Sequence, residues 1–351
     1  MKALVLGRGK SGKAARTLLE ADGASVDFAD GYDLVVASPG MRVMSELEYG
    51  VRKLMERGVK MIAVTGSKGK SSVVKIVADA LGAVPCGNYG MPVSEVGDCE
   101  WAVVEVSSFQ LETTNLPPDA FEAAAILNLQ EDHMDRHGSV AAYHALKRRL
   151  LSFAKTAFDC EAPPTGLLRG SYFDNPVLRA NGFIAAALMQ TAGLGDEAIA
   201  AAFAAFEPLP HRFQTVGEFG GGRCVDDSKA TSVAALAAGG TMCGDSPVRL
   251  IAGGRAKGDD PKYALPVLTS RVKKVYLIGE CAGVFSSAWS GSVELELCET
   301  LDRAVADAFG DSAAGETILL SPGAARFDQF ADFGERGEVF AELVKKEGQN
   351  K

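Results

Sequence analysis

A glycine-rich loop between an apolar strand and a helical stretch constrains the fold of this chain more than any other feature. The strand that we predict at Lys60–Thr65 runs directly into Gly66-Ser67-Lys68-Gly69-Lys70-Ser71-Ser72, and apolar residues then recur at helical spacing from Val73 to Leu81. Glycines let backbone N–H groups wrap a phosphate, and the N-terminus of the following helix adds its positive dipole. Lys70 would reach the phosphates, and a hydroxyl of Ser71 or Ser72 would ligate Mg²⁺.

Two glycine loops of the chain resemble nucleotide-binding motifs, and neither motif settles the ligand by itself. In the loop at 66–69, Val64 stands where a full Walker A motif has its first glycine. A glycine turn with a solvated lysine is therefore the alternative, but the strand–loop–helix context favours nucleotide binding. In Gly7-Arg8-Gly9-Lys10-Ser11-Gly12 the glycines have the G-x-G-x-x-G spacing of a dinucleotide fingerprint, but this motif read alone is a weak signal. This block is also too short for a dinucleotide fold, although it could hold a nucleotide-sugar diphosphate.

Short apolar runs alternate with helical stretches along the whole chain, which is the pattern of βα units and a parallel sheet. We therefore predict an α/β protein with a small N-terminal Rossmann-like domain, a central P-loop mononucleotide-binding domain whose sheet is mostly parallel, and a C-terminal Rossmann-like α/β domain. A further helix is predicted near Ala230–Ala238. The predicted strands are Lys2–Leu6, Asp33–Ser38, Lys60–Thr65, Trp101–Val106, Ala123–Asn128, Val248–Ala252, Lys274–Ile278 and Thr317–Ser321.

The length of 351 residues exceeds what one ordinary core can organise. We place the domains at 1–58, 59–206 and 207–351, because Pro208-Leu209-Pro210 reads as a linker. The proline- and glycine-containing segment Asp159–Pro176 is predicted to be a loop that interrupts the second domain.

The composition excludes several classes of protein. The net charge of −9 argues against a nucleic-acid binder, which would usually show a basic footprint. No apolar run approaches the roughly 18 residues of a membrane span, and no signal peptide is recognisable. The seven cysteines are scattered and form no CxxC pair, which favours free thiols in a reducing cytoplasm. We expect a soluble cytoplasmic protein, and a monomer because no interface pattern stands out.

Two further clusters follow predicted strands, where ligands of open α/β sheets gather. Glu105 ends one strand, and the acidic and histidine-rich run 128–137 follows the next. Carboxylate and hydroxyl oxygens suit Mg²⁺, although such residues alone are more often a solvated surface. In the last block, Arg212 could pair with a phosphate and Lys229 could neutralise charge on a transferring phosphoryl group.

Taken in order, these motifs resemble the Mur ligases, and most of all those members that join D-glutamate to UDP-N-acetylmuramoyl-L-alanine. The resemblance covers nearly the whole chain, and its most specific stretches are 104–112, 131–137, 209–213, 227–231 and 320–330. It implies three domains that bind the UDP-sugar, ATP and the amino acid. It also implies an ADP-forming carboxylate–amine ligase that activates a carboxylate as an acyl phosphate in cytoplasmic peptidoglycan precursor synthesis.

The resemblance also assigns roles to individual residues. Lys70, His133, Lys147 and Lys229 would be catalytic, with Lys147 matching the carbamylated lysine of the family. ATP would be held by Gly66, Ser67, Lys68, Gly69, Lys70, Ser71, Ser72, Asn181, Arg212 and Asp227, and two Mg²⁺ ions by Ser71, Glu105, His133 and Lys147. The UDP-sugar would contact Lys10, Ser11, Asp30, Ser38, Gly40, Asn88, Ser107 and Gln110. The amino acid would contact Lys229, Thr231, Lys257, Arg326, Phe327 and Phe333.

The chain departs from the family pattern at several positions. It is shorter than typical members in the first block and around 155–180, and Lys68 stands where the loop usually has asparagine. Arg326 replaces the usual serine beside Phe327, so the identity of the amino acid is less firmly implied than the ligase chemistry. The alternatives are a related ligase with another amino acid, an activity like that of folylpolyglutamate synthetase, and a catalytically silent relative that only binds nucleotide.

Overall fold

The computed structural model describes residues 2–30, 43–131, 133–255, 258–324 and 329–348. It divides into two compact units: Met1–Asp174 with Leu178–Phe206, and Asn175–Val177 with Glu207–Lys351. The division into three domains at 58/59 and 206/207 stays a prediction. The prediction of an α/β fold with mostly parallel sheets is confirmed.

The first unit contains two parallel sheets. Strands β1 and β2 form a two-stranded sheet that precedes a five-stranded sheet of order β4-β5-β3-β6-β7, in which every pair is parallel. The elements are β1 (Lys2–Leu6), α1 (Lys10–Ala21), β2 (Ser25–Ala29), α2 (Glu46–Glu56), β3 (Lys60–Thr65), α3 (Lys70–Leu81), β4 (Val84–Gly87), β5 (Trp101–Glu105), α4 (Ser108–Thr113), β6 (Phe121–Ile126), α5 (Met134–His137), α6 (Val140–Arg148), β7 (Ala154–Asp159), α7 (Arg179–Thr191) and α8 (Asp196–Ala205).

The five-stranded sheet is covered on both faces, which explains its continuous apolar strands. In β3, all five residues from Met61 to Thr65 are buried. One face packs against α3 and α7, and the other packs against α2 through Leu47, Val51 and Leu54. These three residues recur at helical spacing, and Ser45 caps the helix by accepting a hydrogen bond from the backbone N–H of Glu48. Helix α2 therefore packs in the core of the five-stranded sheet, although its sequence lies within the predicted block 1–58.

The second unit has one six-stranded sheet of order β12-β11-β10-β13-β9-β8, in which only the edge pair β8–β9 is antiparallel. The carboxyl ends of its parallel strands therefore meet at one edge, where ligands of such sheets usually bind. The elements are β8 (Gln214–Phe219), β9 (Gly222–Asp226), α9 (Val233–Met242), β10 (Val248–Gly253), α10 (Leu265–Arg271), β11 (Val272–Ile278), α11 (Ala282–Trp289), β12 (Glu294–Glu299), α12 (Leu301–Asp311), β13 (Thr317–Leu320) and α13 (Phe333–Gly348).

Some predicted boundaries need correction. The third predicted strand of the central sheet was placed two residues too late, since β6 ends at Ile126 and Asn128 lies in the loop beyond it. The helix predicted from Ala230 begins at Val233, because Ser232 caps it by accepting from the N–H of Ala235. The predicted strand Asp33–Ser38 lies outside the described residues. All seven cysteines are free thiols. Within the described ranges, no helix is long and apolar enough to span a membrane.

Candidate functional site

The glycine-rich loop connects the end of β3 to the start of α3, as the sequence predicted. Gly66 has φ 151° and Gly69 has φ 84°, conformations that residues with a side chain rarely adopt. A Cβ atom at Gly69 would also collide with the side-chain amide of Asn181, which lies in α7. Glycine is therefore needed at this position both for the backbone conformation and for the close approach of Asn181.

Two lysines donate hydrogen bonds to the same backbone carbonyl at this loop. Lys70 Nζ lies 2.8 Å from Gly66 O and 3.3 Å from Ser67 O. Lys147 Nζ lies 3.0 Å from Gly66 O and 3.3 Å from Thr65 Oγ1. Only 2% of Lys147 is exposed, and its ammonium lies 4.8 Å from the centre of the Tyr143 ring. The structure thus brings Lys70 and Lys147, which are distant in sequence, together at the phosphate loop, and Lys147 is buried there.

Glu105 ends β5, the strand next to β3 in the sheet, and it is 2% exposed. Its Oε1 atom accepts a hydrogen bond of 2.8 Å from Asn88 Nδ2. Its Oε2 atom is one of two buried side-chain atoms without a hydrogen-bond partner among the described residues, the other being His144 Nε2. A buried carboxylate oxygen without a partner is costly, and a hard cation such as Mg²⁺ would satisfy it. The donor set therefore fits the divalent metal that the sequence implied.

His133 directly precedes the short helix α5 and has a left-handed conformation with φ 56°. Its exposed ring meets the ring of Phe109 edge-on, with 5.0 Å between centroids. His137, one turn further, is held by Ser108 Oγ at 3.0 Å and by Glu112 Oε1 at 3.3 Å. The loop that carries His133 is thereby fastened to helix α4.

Ser107 and Gln110, which the resemblance assigns to the UDP-sugar, bond to each other. They form a capping box at the start of α4: Gln110 N–H donates to Ser107 Oγ, and Ser107 N–H donates to Gln110 Oε1 at 2.9 Å. Their local role is therefore to fix the start of a helix. Of the other assigned residues, Lys10 and Ser11 open α1 at the carboxyl edge of the β1–β2 sheet, and Asp30 follows β2 at that edge. Ser38 and Gly40 lie outside the described residues.

In the second unit, Asp227 follows β9 at the carboxyl edge of the sheet. Its carboxylate accepts hydrogen bonds from Ser321 Oγ at 3.0 Å and from Phe213 N–H at 3.2 Å. Burial raises the pKa of Asp227 to about 7, and the negative charge of Asp226 adds to this, while those two hydrogen bonds and Arg212 oppose it. Asp227 therefore changes its ionisation near neutral pH. Arg212 thus acts electrostatically on Asp227, and their common role in binding ATP stays a prediction.

Lys229 and Phe333 also come together, since Lys229 Nζ lies 3.6 Å from the centre of the Phe333 ring. This is a cation–π contact, and it joins two residues that the resemblance assigns to the amino acid. Thr231 is half-buried in the same turn, where its N–H donates to the carbonyl of Lys229. Lys257, Arg326 and Phe327 lie outside the described residues.

The sequence analysis gave no role to His211, Asp226 and Arg336, three polar residues whose hydrogen bonds hold the turn that begins at Ser228. His211 Nδ1 lies 2.7 Å from Asp226 Oδ2, and Asp226 Oδ1 accepts from Ser228 N–H. Arg336, which is 1% exposed, donates from Nε to Ser228 Oγ at 2.9 Å and from Nη2 to the Ser228 carbonyl. The motif containing His211 was visible in the sequence, but no local pattern marked the arginine in α13 as buried.

Comparison with known proteins agrees with this architecture. The family model described as "Mur ligase middle domain" matches residues 64–158, which include the phosphate loop, Glu105 and Lys147. The solved structure of MurF ligase from Thermotoga maritima in complex with ADP has the same fold. It aligns with a TM-score of 0.64 over 99% of this chain and 95% of that chain, at 17% identity.

Two named relatives match nearly the full length. The UDP-N-acetylmuramoylalanine–D-glutamate ligase of Chlamydia caviae is 31% identical over 411 aligned residues, covering 98% of this chain and 97% of the relative. The ligase of the same name from Rubrobacter xylanophilus is 35% identical, covering 95% of this chain and 91% of the relative. The chain therefore belongs to the Mur ligases, in the family of the UDP-N-acetylmuramoylalanine–D-glutamate ligases.

Proposed function

We propose that this protein is an ATP-dependent, ADP-forming ligase that joins D-glutamate to UDP-N-acetylmuramoyl-L-alanine. The observation that carries the proposal is the meeting of Lys70 and Lys147 on the Gly66 carbonyl, one strand away from the Glu105 carboxylate oxygen that has no hydrogen-bond partner among the described residues. A phosphate loop with its lysine, and a carboxylate that can ligate Mg²⁺, are groups that phosphoryl transfer needs. The names of the full-length relatives supply the substrates.

In this proposal the phosphate loop holds ATP for attack by the substrate carboxylate. Backbone N–H groups at the start of α3 face the phosphates, and Lys70 leaves the loop carbonyls to contact the γ-phosphoryl oxygens. The carboxylate of UDP-N-acetylmuramoyl-L-alanine attacks phosphorus and ADP departs, which leaves an acyl phosphate. The amine of D-glutamate then attacks the acyl carbon, loses a proton and expels inorganic phosphate. Asn88, Ser107 and Gln110 are proposed to hold the sugar, and Asn181 the adenine.

Mg²⁺ bound by Ser71, Glu105, His133 and a carbamylated Lys147 would neutralise the charge of the phosphates. The Lys147 ammonium would first lose one proton to solvent, and the resulting neutral amine would add to CO₂ and lose a second proton, which turns the cation into an anionic carbamate that can ligate Mg²⁺. The buried position of Lys147 would protect this labile adduct from bulk water.

For residues of the second unit, we propose the roles that the resemblance assigns: Arg212 and Asp227 bind ATP, and Lys229 binds the carboxylates of the amino acid. Phe333 holds the ammonium of Lys229 in place through the cation–π contact. Lys257, Arg326 and Phe327 are assigned to the amino acid by the resemblance alone. The nucleotide-linked substrates are water-soluble, so we place this activity in the cytoplasm, and we propose that the protein acts as a monomer.

Phosphate release from ATP tests this function. The purified protein is supplied with Mg²⁺, ATP and UDP-N-acetylmuramoyl-L-alanine, and a panel of D- and L-amino acids is added one at a time. We expect stimulation by D-glutamate. Lys70→Met should abolish it, whereas Lys75→Met, on the same helix but paired with Asp79, should not.

The other outcomes separate the alternative functions. Stimulation by a different amino acid would keep the ligase chemistry and assign another substrate, as the change at Arg326 would allow. Stimulation by a folate substrate and L-glutamate would favour a folylpolyglutamate-synthetase-like activity. Nucleotide binding without phosphate release on any substrate would favour a catalytically silent relative.

A further inference from the structure

The side chain of Asn128 makes a double hydrogen bond to the backbone of the phosphate loop. Its Oδ1 accepts from Lys68 N–H at 2.9 Å, and its Nδ2 donates to the Lys68 carbonyl at 2.9 Å. Nδ2 also lies 3.4 Å from Asn181 Oδ1. The carboxamide therefore forms hydrogen bonds to both peptide groups that flank Lys68, in the middle of the loop.

This contact extends the parallel ladder between β3 and β6 into the loop. Leu127 N–H donates to the Thr65 carbonyl at 2.9 Å, and Ser67 N–H donates to the Asn128 carbonyl at 3.0 Å. Beyond the end of β6 at Ile126, the Asn128 carboxamide, which has the same donor and acceptor as a peptide group, bonds to the N–H and C=O of Lys68. The loop is thus held in register by a side chain where no strand continues.

The double hydrogen bond also decides which way the loop peptides face. In a trans peptide the N–H and C=O groups point in opposite directions, and the described chain has no cis peptide. Because Lys68 N–H points to Asn128, the Ser67 carbonyl points away from it, and this carbonyl accepts from Lys70 Nζ. Because the Lys68 carbonyl points to Asn128, the N–H of Gly69 also points away, towards the side of the loop that carries the Lys70 ammonium.

We propose that Asn128 is a positioning residue that sets the anion-binding orientation of the phosphate loop. It holds the Gly69 N–H and the Lys70 ammonium on one side, and it couples the loop to Asn181 in α7. The inference rests on the proposed role of this loop in holding ATP, and it adds a residue to which the resemblance assigned no role. A trans peptide can flip when neither of its polar groups is held, so without the carboxamide the loop would lose its fixed orientation.

Nucleotide affinity and substrate kinetics test the proposal with Asn128→Ala. The matched control is Asn115→Ala, which removes the carboxamide of an exposed asparagine elsewhere in the same unit. ADP binding in the presence of Mg²⁺ is measured by calorimetry without the UDP-sugar. Since two hydrogen bonds are lost, we expect Asn128→Ala to weaken ADP binding about tenfold or more. The KM for ATP should rise by a similar factor while the KM for UDP-N-acetylmuramoyl-L-alanine stays within about twofold, a split that general loss of structure would not produce.

ADP affinity of Asn128→Ala within about twofold of the parent protein would overturn the proposal while leaving the ligase function intact. If the parent itself binds no nucleotide, the proposed function fails, and this inference fails with it. Amide hydrogen exchange in the unmodified protein tests the orientation of the loop peptides even if the variant does not fold. We expect the Lys68 N–H to exchange slowly before nucleotide is added and the Gly69 N–H to become protected only afterwards. Fast exchange of the Lys68 N–H in the free protein would contradict the proposal.

Discussion

Glu105 offers a prediction in which stability and function change in opposite directions. Its side chain is buried, one carboxylate oxygen accepts from Asn88, and the other lacks a hydrogen-bond partner in the described chain. Glu105→Gln keeps the shape of the side chain and the acceptor for Asn88, but it removes the negative charge. If Glu105 serves to bind a cation, the metal-free protein should become more stable when that charge is removed.

The size of the effect follows from the burial. A buried polar atom without a partner costs about 1–3 kcal/mol, and an ionised one costs more than a neutral amide. We therefore expect Glu105→Gln to raise the free energy of unfolding of the metal-free protein by about 1–2 kcal/mol. For a unit of this size each kcal/mol corresponds to about 2–4 °C in Tm.

Calorimetric unfolding with and without Mg²⁺ measures the change in stability, and phosphate release measures the change in turnover. Mg²⁺ at about 100 times its Kd should stabilise the parent by about 2.7 kcal/mol and should not stabilise the variant. Turnover of the variant should fall by about 100-fold or more. Glu100→Gln is the control, since this exposed carboxylate lies just before the same strand and pairs with Lys60. A variant that is less stable than the parent, yet still stabilised by Mg²⁺ and active, would refute the reasoning.

Three further substitutions test other parts of the structure. Lys147→Met should reduce turnover by about 100-fold or more, and excess bicarbonate should not restore it. The free energy of unfolding should stay equal or rise, because an apolar side chain replaces a buried cation. Unchanged turnover would exclude a role of Lys147 at the metal. Asp227→Asn should stabilise the protein increasingly between pH 4 and 8, because a pKa raised from 3.8 to about 7 means that folding opposes ionisation. The gain should reach on the order of 2–4 kcal/mol above pH 7 in urea titrations, and a gain that does not depend on pH would contradict the assigned pKa. Burial of Glu316 would raise its pKa, but hydrogen bonds from Arg249 and Lys273 outweigh this and lower the pKa, so the carboxylate stabilises the fold above its unfolded pKa of about 4.5. Glu316→Gln should therefore lower the free energy of unfolding by about 3 kcal/mol at pH 7, and this difference from the parent should shrink as the pH falls below about 4.5. A difference that does not change with pH would show that the ion pairs do not stabilise the fold.

The central strands could be predicted from the sequence because burial on both faces gives them continuous apolar runs. β3 has the predicted bounds, and the phosphate loop lies where its glycines placed it. Peripheral strands lack that signal. β12 alternates glutamate with apolar residues at the edge of its sheet, and β4 is four residues long and contains a proline. Neither has the composition of a buried strand, so neither was predicted.

The candidate site could be predicted only where a local motif marks it. Lys70 and Glu105 adjoin strand ends, so their positions at the edge of the sheet were predictable from the sequence alone. The burial of Lys147 beside Gly66 depends on how α6 packs against the sheet, and its sequence neighbours Arg148 and Arg149 suggested a solvated face. Tertiary contacts of this kind have no local signature, which also explains why the roles of Asn128 and Arg336 were missed.

The transfer of oxygen from the substrate carboxylate to phosphate tests the proposed chemistry most directly. UDP-N-acetylmuramoyl-L-alanine labelled with ¹⁸O at both carboxylate oxygens is turned over with unlabelled ATP, Mg²⁺ and D-glutamate, and the released phosphate is analysed by mass spectrometry. If the carboxylate attacks the γ-phosphorus to form an acyl phosphate, one carboxylate oxygen leaves with the phosphate, so each phosphate should carry a single ¹⁸O. Phosphate without ¹⁸O would mean that water or another nucleophile cleaves ATP, and it would contradict the ligase mechanism proposed for this chain.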